Sequence, residues 1–97
     1  MNKETIVNIL QQEKKEIAKL GVSKIGLFGS FSRNDFKEDS DIDILIDFEP
    51  NSEVTLFDLI EIEELLNSRL NRKVDMALLA TLKPQISKHI MSEVIFV

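Results

Sequence analysis

Two aspartates separated by one residue, Asp41 and Asp43, are the strongest candidates in the sequence for metal-dependent chemistry. Residues two apart on a β-strand point to the same face, so a strand through both would place two carboxylates about 6.5–7 Å apart on one side. Two like charges in this position oppose each other unless a cation lies between them. Because hard divalent ions such as Mg²⁺ prefer carboxylate oxygens and complete their shells with water and substrate phosphates, both residues are candidate metal ligands.

A third carboxylate is expected near this pair. Two divalent ions about 3.5–4 Å apart can promote an in-line displacement at phosphorus, and a site of this kind commonly needs a third acid. Asp75 is the candidate, because its two chain neighbours are apolar and would face the core while Asp75 faces the other way. The sequence therefore predicts that three acids converge on one spot.

Gly29 and Ser30 are candidates for binding a phosphate beside these acids. Glycine lets the backbone approach a phosphate closely, and Ser30 is predicted to be the N-cap of a short helix whose N–H groups would face an anion. Arg33, one turn further along, could reach a phosphate, and a structural salt bridge is the alternative for it.

The elements that must position these residues follow from the hydrophobic pattern. Helical spacing of apolar residues predicts helices over residues 3–20, 55–70 and from 84 onward, with a short helix at 30–35. Short apolar runs predict strands at residues 24–28, 41–47, 72–77 and 94–97. This order predicts an α/β fold of the α+β type, in which a small mixed sheet of three to four strands has helices mainly on one face. Residues 1–97 are predicted to form a single domain.

The composition limits the kinds of metal site and of partner. The chain has 97 residues, no cysteine and a single histidine, so thiolate and histidine-rich zinc sites are excluded and any metal must be held mainly by oxygen. The net charge of -5 argues against binding of long nucleic acid, which depends on Lys and Arg. No apolar run is long enough to cross a membrane and the first residues do not resemble a signal peptide, so a cytoplasmic location is predicted.

In combination, the motifs resemble a known family. Gly29-Ser30-Phe31-Ser32-Arg33, followed after a spacer by Ser40-Asp41-Ile42-Asp43, is similar to the GS…SDxD motif of the DNA polymerase beta nucleotidyltransferase superfamily. The resemblance is strongest to the minimal nucleotidyltransferases (MNT), which form the antitoxin of HEPN–MNT toxin–antitoxin pairs, and it covers nearly the whole chain. Family members often continue the GSxAR motif with glycine, whereas this chain has Asn34.

The resemblance implies a function and a role for each candidate residue. It implies a palm-like nucleotidyltransferase fold that transfers AMP from ATP to a tyrosine hydroxyl of a partner HEPN toxin. Asp41, Asp43 and Asp75 would be the catalytic residues and the ligands of two Mg²⁺ ions, and the nucleotide would be bound by Gly29, Ser30 and Arg33.

Two other functions remain possible at the level of the sequence. The chain could be a non-catalytic antitoxin that neutralises its toxin by binding alone. A small-molecule nucleotidyltransferase is less favoured, because the chain has no further domain to bind such a substrate. Composition and spacing do not themselves identify adenine, tyrosine or the partner.

Overall fold

Helices and strands follow one another in the order predicted from the sequence. A computed structural model describes all residues, 1–97. Its elements are helix α1 (Lys3–Ala18), strand β1 (Val22–Phe28), helix α2 (Ser30–Arg33), strand β2 (Ile42–Phe48), helix α3 (Leu56–Leu70), strand β3 (Val74–Leu78), a 3₁₀ turn (Leu79–Thr81), helix α4 (Pro84–Met91) and strand β4 (Ile95–Phe96). The predicted mixed α/β fold is confirmed, with boundaries shifted by one or two residues at most element ends.

The four strands form one mixed sheet in the order β3-β2-β1-β4. Strand β1 is antiparallel to both β2 and β4, whereas β2 and β3 are parallel. Helix α3 makes the crossover that parallel neighbours require. Its start is fixed by a capping box in which Thr55 and Asp58 each accept a hydrogen bond from the other's backbone N–H.

One face of the sheet carries the hydrophobic core. Strand β2 contributes Ile42, Ile44 and Ile46, which are fully buried in a cluster with apolar residues of α1 and α3. The alternate residues of β2, Asp43 and Asp47 among them, therefore point to the opposite face. The long helices thus cover one face, as predicted, and the half-buried Asp43 and Asp47 lie on the other.

The opposite face is partly covered by the C-terminal segment. A Cβ atom built on Gly26 of β1 would lie 2.7 Å from Val94 Cγ2. Gly26 is paired with Leu45, so both belong to the face that also carries Asp43. The residues that join α4 to β4 consequently lie beside the candidate site.

No helix in the structure is both long enough and apolar enough to cross a bilayer.

Candidate active site

Gly29 makes the turn from β1 into α2 directly against Asp43. Its φ and ψ angles of 76° and −154° lie in a region that side-chain-bearing residues rarely adopt. A Cβ atom at Gly29 would lie 2.0 Å from Asp43 Oδ2, so a side chain cannot be accommodated. The prediction that Ser30 is the N-cap is wrong, because Gly29 takes this position and Ser30 is the first helical residue. The conformation required at the cap excludes serine.

Asn34 ends α2 in the left-handed conformation. Its φ angle is 66°, and its backbone N–H donates to the Ser30 carbonyl. Asparagine tolerates this region better than other residues with a side chain, although glycine adopts it most readily. Asn34 therefore makes the turn for which the family motif often has glycine.

Asp43 and Asp75 are direct neighbours on β2 and β3. Their Cα atoms are partners in the parallel register, so both side chains point to the same face of the sheet. Partial burial raises the pKa of Asp43 to about 6, and the negative charges of Asp75 and Asp41 contribute to the same shift. The structure thus brings the two predicted acids together and places a third charge near them.

Asp41 lies close to an exposed lysine. It lies just before β2, and its Oδ2 is 3.8 Å from Nζ of the exposed Lys73. No group of three Asp, Glu or His side chains is arranged tightly enough to enclose a metal ion. The charges of Asp41 and Asp75 both act on Asp43, and a shared metal site of the three acids stays a prediction.

The chemistry of the donors nevertheless fits a hard divalent cation. The available ligands are carboxylate oxygens, which Mg²⁺ prefers. The raised pKa of Asp43 reflects burial together with uncompensated negative charge, and a cation would relieve the charge repulsion. Lys73, whose side chain is 77% exposed, is a weak competitor for Asp41 because exposed ion pairs contribute little.

Glu93 is a residue at this site that the sequence analysis missed. Its Oε2 accepts hydrogen bonds from the Gly29 N–H at 2.6 Å and from Arg33 Nη1 at 2.9 Å. Its Oε1 lies 3.1 Å from His89 Nε2, and its backbone carbonyl accepts a hydrogen bond from the Ser32 hydroxyl. A lone acidic residue before a short terminal strand was the only sequence signal for it.

Arg33 forms the structural salt bridges that were the alternative to phosphate binding. Its Nε donates to Asp35 Oδ2 at 3.1 Å, and its Nη1 donates to Glu93. The hydrogen bond to Asp35, together with the charges of Glu93 and Asp35, raises the pKa of Arg33 above its ordinary value. The guanidinium is therefore charged at every physiological pH and lies beside the glycine turn.

Arg72 fixes the loop that leads to Asp41. Its Nη1 donates to the carbonyl oxygens of Glu38 and Ser40, each at 2.9 Å. Its guanidinium also lies over the ring of Phe31, 5.3 Å from the centroid, in cation–π geometry. Arg72 thereby joins the segment before β3 to α2 and to the loop that precedes β2.

Known proteins with related sequences or folds match nearly the whole chain. The family model of the nucleotidyltransferase domain matches residues 4–97. The protein adenylyltransferase MntA of Thermococcus cleftensis is 44% identical over 95 residues, which represent 97% of this chain and 94% of MntA. The solved structure of a candidate minimal nucleotidyltransferase superposes with a TM-score of 0.84 at 29% identity, over 98% of this chain and 95% of that chain.

The fold also occurs in a toxin–antitoxin complex. In the complex of the tri-AMPylated HEPN toxin of Shewanella oneidensis with its MNT antitoxin, one chain superposes with a TM-score of 0.58 at 23% identity. The match covers 89% of this chain and 69% of that one. At this level of identity the comparison establishes a shared fold.

Proposed function

The chain belongs to the nucleotidyltransferase domain family, and on that premise we propose that it transfers AMP from ATP to a hydroxyl group of a HEPN toxin. The acceptor is a tyrosine hydroxyl, the reaction takes place in the cytoplasm, and modification of the toxin is the means by which this chain acts as an antitoxin. The proposal draws its adenylyl donor from the 44% identical protein adenylyltransferase and its toxin partner from the AMPylated complex of the same fold.

One geometric observation carries the proposal. A glycine turn that opens a helix lies in contact with Asp43, which is itself in register with Asp75. A triphosphate bound at Gly29, Ser30 and Arg33 would present its α-phosphorus next to these carboxylates. Backbone N–H groups at a helix start and an arginine are the donors that phosphates require.

In the proposed reaction, the tyrosine oxygen attacks the α-phosphorus of ATP. The bond from this phosphorus to the oxygen that bridges to the β-phosphate breaks, and pyrophosphate leaves. Asp75, on the edge strand, takes the proton of the attacking hydroxyl. Gly29, Ser30 and Arg33 hold the β- and γ-phosphates in line with that attack, which is the positioning that phosphoryl transfer requires.

Magnesium is part of the proposal. Asp41, Asp43 and Asp75 would hold two Mg²⁺ ions, which would neutralise charge on the triphosphate and on the leaving pyrophosphate. Burial and, after it, repulsion by Asp75 and Asp41 raise the pKa of Asp43, and the repulsion supports this assignment because a cation would relieve it.

A cellular neutralisation assay separates catalysis from binding alone. The variant Asp41→Asn with Asp43→Asn keeps side-chain size but removes two charges, and we expect it to bind the toxin without protecting the cell. Asp47→Asn, on the same strand and face four residues from Asp43, is the matched control and should protect like the wild type. Full protection by the double variant would favour the non-catalytic antitoxin.

A further inference from the structure

Glu93 is a charged residue whose side chain is nearly buried and lies among hydrogen-bond donors. Its side chain is only 10% exposed. Burial of a carboxylate is strongly unfavourable unless hydrogen-bond donors compensate it. Here the donors are the Gly29 N–H and Arg33 of α2, and Nε2 of His89 in α4 lies 3.1 Å from Oε1 of Glu93. Displacement of the carboxylate would break all three contacts, so we expect Glu93 to stay in place when a ligand binds.

The two ion pairs that Arg33 forms differ in their exposure to water. The Asp35 side chain is 58% exposed, so water screens its ion pair, whereas that of Glu93 is 10% exposed. Asp35 accepts from Nε and Glu93 accepts from Nη1, which leaves the Nη2 end of the guanidinium without an acidic partner. Glu93 thus fixes the orientation of the Arg33 guanidinium and leaves its Nη2 group free to donate to a phosphate oxygen.

From these contacts we infer that Glu93 is a positioning residue for ATP, which acts through Arg33 and the Gly29 amide without touching the nucleotide. This inference rests on the proposed function, since it takes the Gly29 turn and Arg33 as the triphosphate site. It assigns to the C-terminal segment, 64 residues from Gly29, a role in nucleotide affinity. The competing possibility is that the carboxylate occupies the place of a phosphate and opposes binding.

The test compares two Arg–Glu ion pairs in the same protein. Glu93→Gln removes the charge but keeps an amide oxygen that can still accept from Gly29. Glu13→Gln is the matched control, because Glu13 is 15% exposed and pairs with Arg69 on the helical side of the molecule. The ligand is α,β-methylene ATP with Mg²⁺, in which the bond that the reaction breaks is blocked, and its Kd is measured by calorimetry.

We expect Glu93→Gln to weaken binding of this analogue about tenfold, the scale of one charge-assisted hydrogen bond. Glu13→Gln should leave the Kd unchanged. In steady-state assays, the KM for ATP should rise by the same factor while kcat changes by less than about threefold. In an Arg33→Met background, Glu93→Gln should change the Kd less than about twofold, because the charge has lost the group through which it acts.

Three results would overturn the inference. They are an unchanged Kd in Glu93→Gln, a tighter Kd, which would show that the carboxylate competes with phosphate, and equal effects of Glu93→Gln with and without Arg33. If Glu93→Gln does not fold, Glu93→Asp takes its place, since it keeps the charge but shortens the reach; an unchanged Kd there contradicts the inference equally.

The proposed function and the inference fail separately. AMP transfer by the wild type tests the function and requires no Glu93 variant. A wild type that binds the analogue but transfers no AMP overturns the function. A wild type that transfers AMP, with a Glu93→Gln variant that binds the analogue equally well, overturns only the inference.

Discussion

Gly29 and Asp43 lie so close together that one added carbon on Gly29 would overlap the Asp43 carboxylate. The built Cβ is 2.0 Å from Oδ2 and 2.8 Å from Cγ of that residue. The turn that we propose to bind phosphate and the strand that we propose to bind metal are thus in direct contact. The absence of a side chain at Gly29 creates the space in which Asp43 lies.

Gly29→Ala should therefore abolish AMP transfer and destabilise the fold by about 2–3 kcal/mol, from backbone strain at φ 76° together with the overlap. Urea unfolding and transfer per folded molecule measure the two effects. Gly21→Ala is the matched control, because Gly21 also has a positive φ, 94°, but lies beside Ser52 away from the acids. It should lose stability and keep its activity. Normal activity in Gly29→Ala would show that AMP transfer does not depend on the close approach of Gly29 and Asp43.

Asp43 should make the stability of the metal-free protein depend on pH. Its pKa is about 6 in the folded protein against an ordinary value of 3.8. Between these values the folded state binds more protons than the unfolded state, so the free energy of unfolding falls as pH rises through this window. Above pH 6 the penalty is complete, and below about pH 4 it disappears.

Asp43→Asn should remove this penalty. In EDTA at pH 8 we expect the variant to be about 1 kcal/mol more stable than the wild type, since solvent screening reduces the effect at a half-buried group. Near pH 4 the two proteins should be nearly equal. Urea unfolding at both values is the measurement, with Asp47→Asn as the control. A stability difference that does not change with pH would show that Asp43 is not the group responsible.

Arg72→Met should reduce AMP transfer by displacing the loop before Asp41. The substitution removes hydrogen bonds to two backbone carbonyls and should cost about 1–2 kcal/mol of stability. Arg69→Met removes a comparable pair of contacts, to Glu13 and Gln12, at a distance from the acidic face. Both variants should unfold at lower urea concentration, but only Arg72→Met should transfer AMP more slowly. Equal activities would mean that Arg72 acts only on stability.

Asn34 should be replaceable by glycine but not by alanine. At φ 66°, Asn34→Ala should cost about 1 kcal/mol, whereas Asn34→Gly should change stability by a few tenths at most. Asn71 has a similar φ of 50° at the end of α3, so Asn71→Ala is the matched control. We expect a comparable loss of stability in both alanine variants and a loss of transfer only at Asn34. Loss of transfer in Asn71→Ala but not in Asn34→Ala would show that the end of α2 does not contribute to the active site.

Local patterns in the sequence were sufficient to predict the elements and the pairing of acids on one face. The alternation along β2 places Asp43 on the face opposite the buried Ile42 and Ile44. This pattern involves only residues next to one another in the sequence, so it can be recognised there. The cap of α2 was mispredicted, because serine is a common N-cap, whereas glycine is selected at position 29 by a φ angle of 76° and by the close approach of Asp43. Sequence periodicity contains no information on such contacts.

Glu93 and Arg72 were not predicted as site residues, because their contacts join parts of the chain that are far apart in sequence. Glu93 reaches Gly29 across 64 positions, and Arg72 reaches Glu38 across 34. Each is a single charged residue with no repeat or motif of its own. Such contacts follow from the tertiary arrangement of the sheet and the C-terminal segment, so only the folded structure identifies them.

The most direct test of the account is intact-mass analysis of both proteins after incubation of this chain with a purified HEPN toxin, ATP and Mg²⁺. The wild type and Asp47→Asn should add one or more AMP masses to the toxin. Asp43→Asn should add none, and EDTA should prevent addition by the wild type. Addition by Asp43→Asn at the wild-type rate, or an unmodified toxin in a stable complex with the wild type, would contradict the proposal that this chain acts as an adenylyltransferase at Asp43.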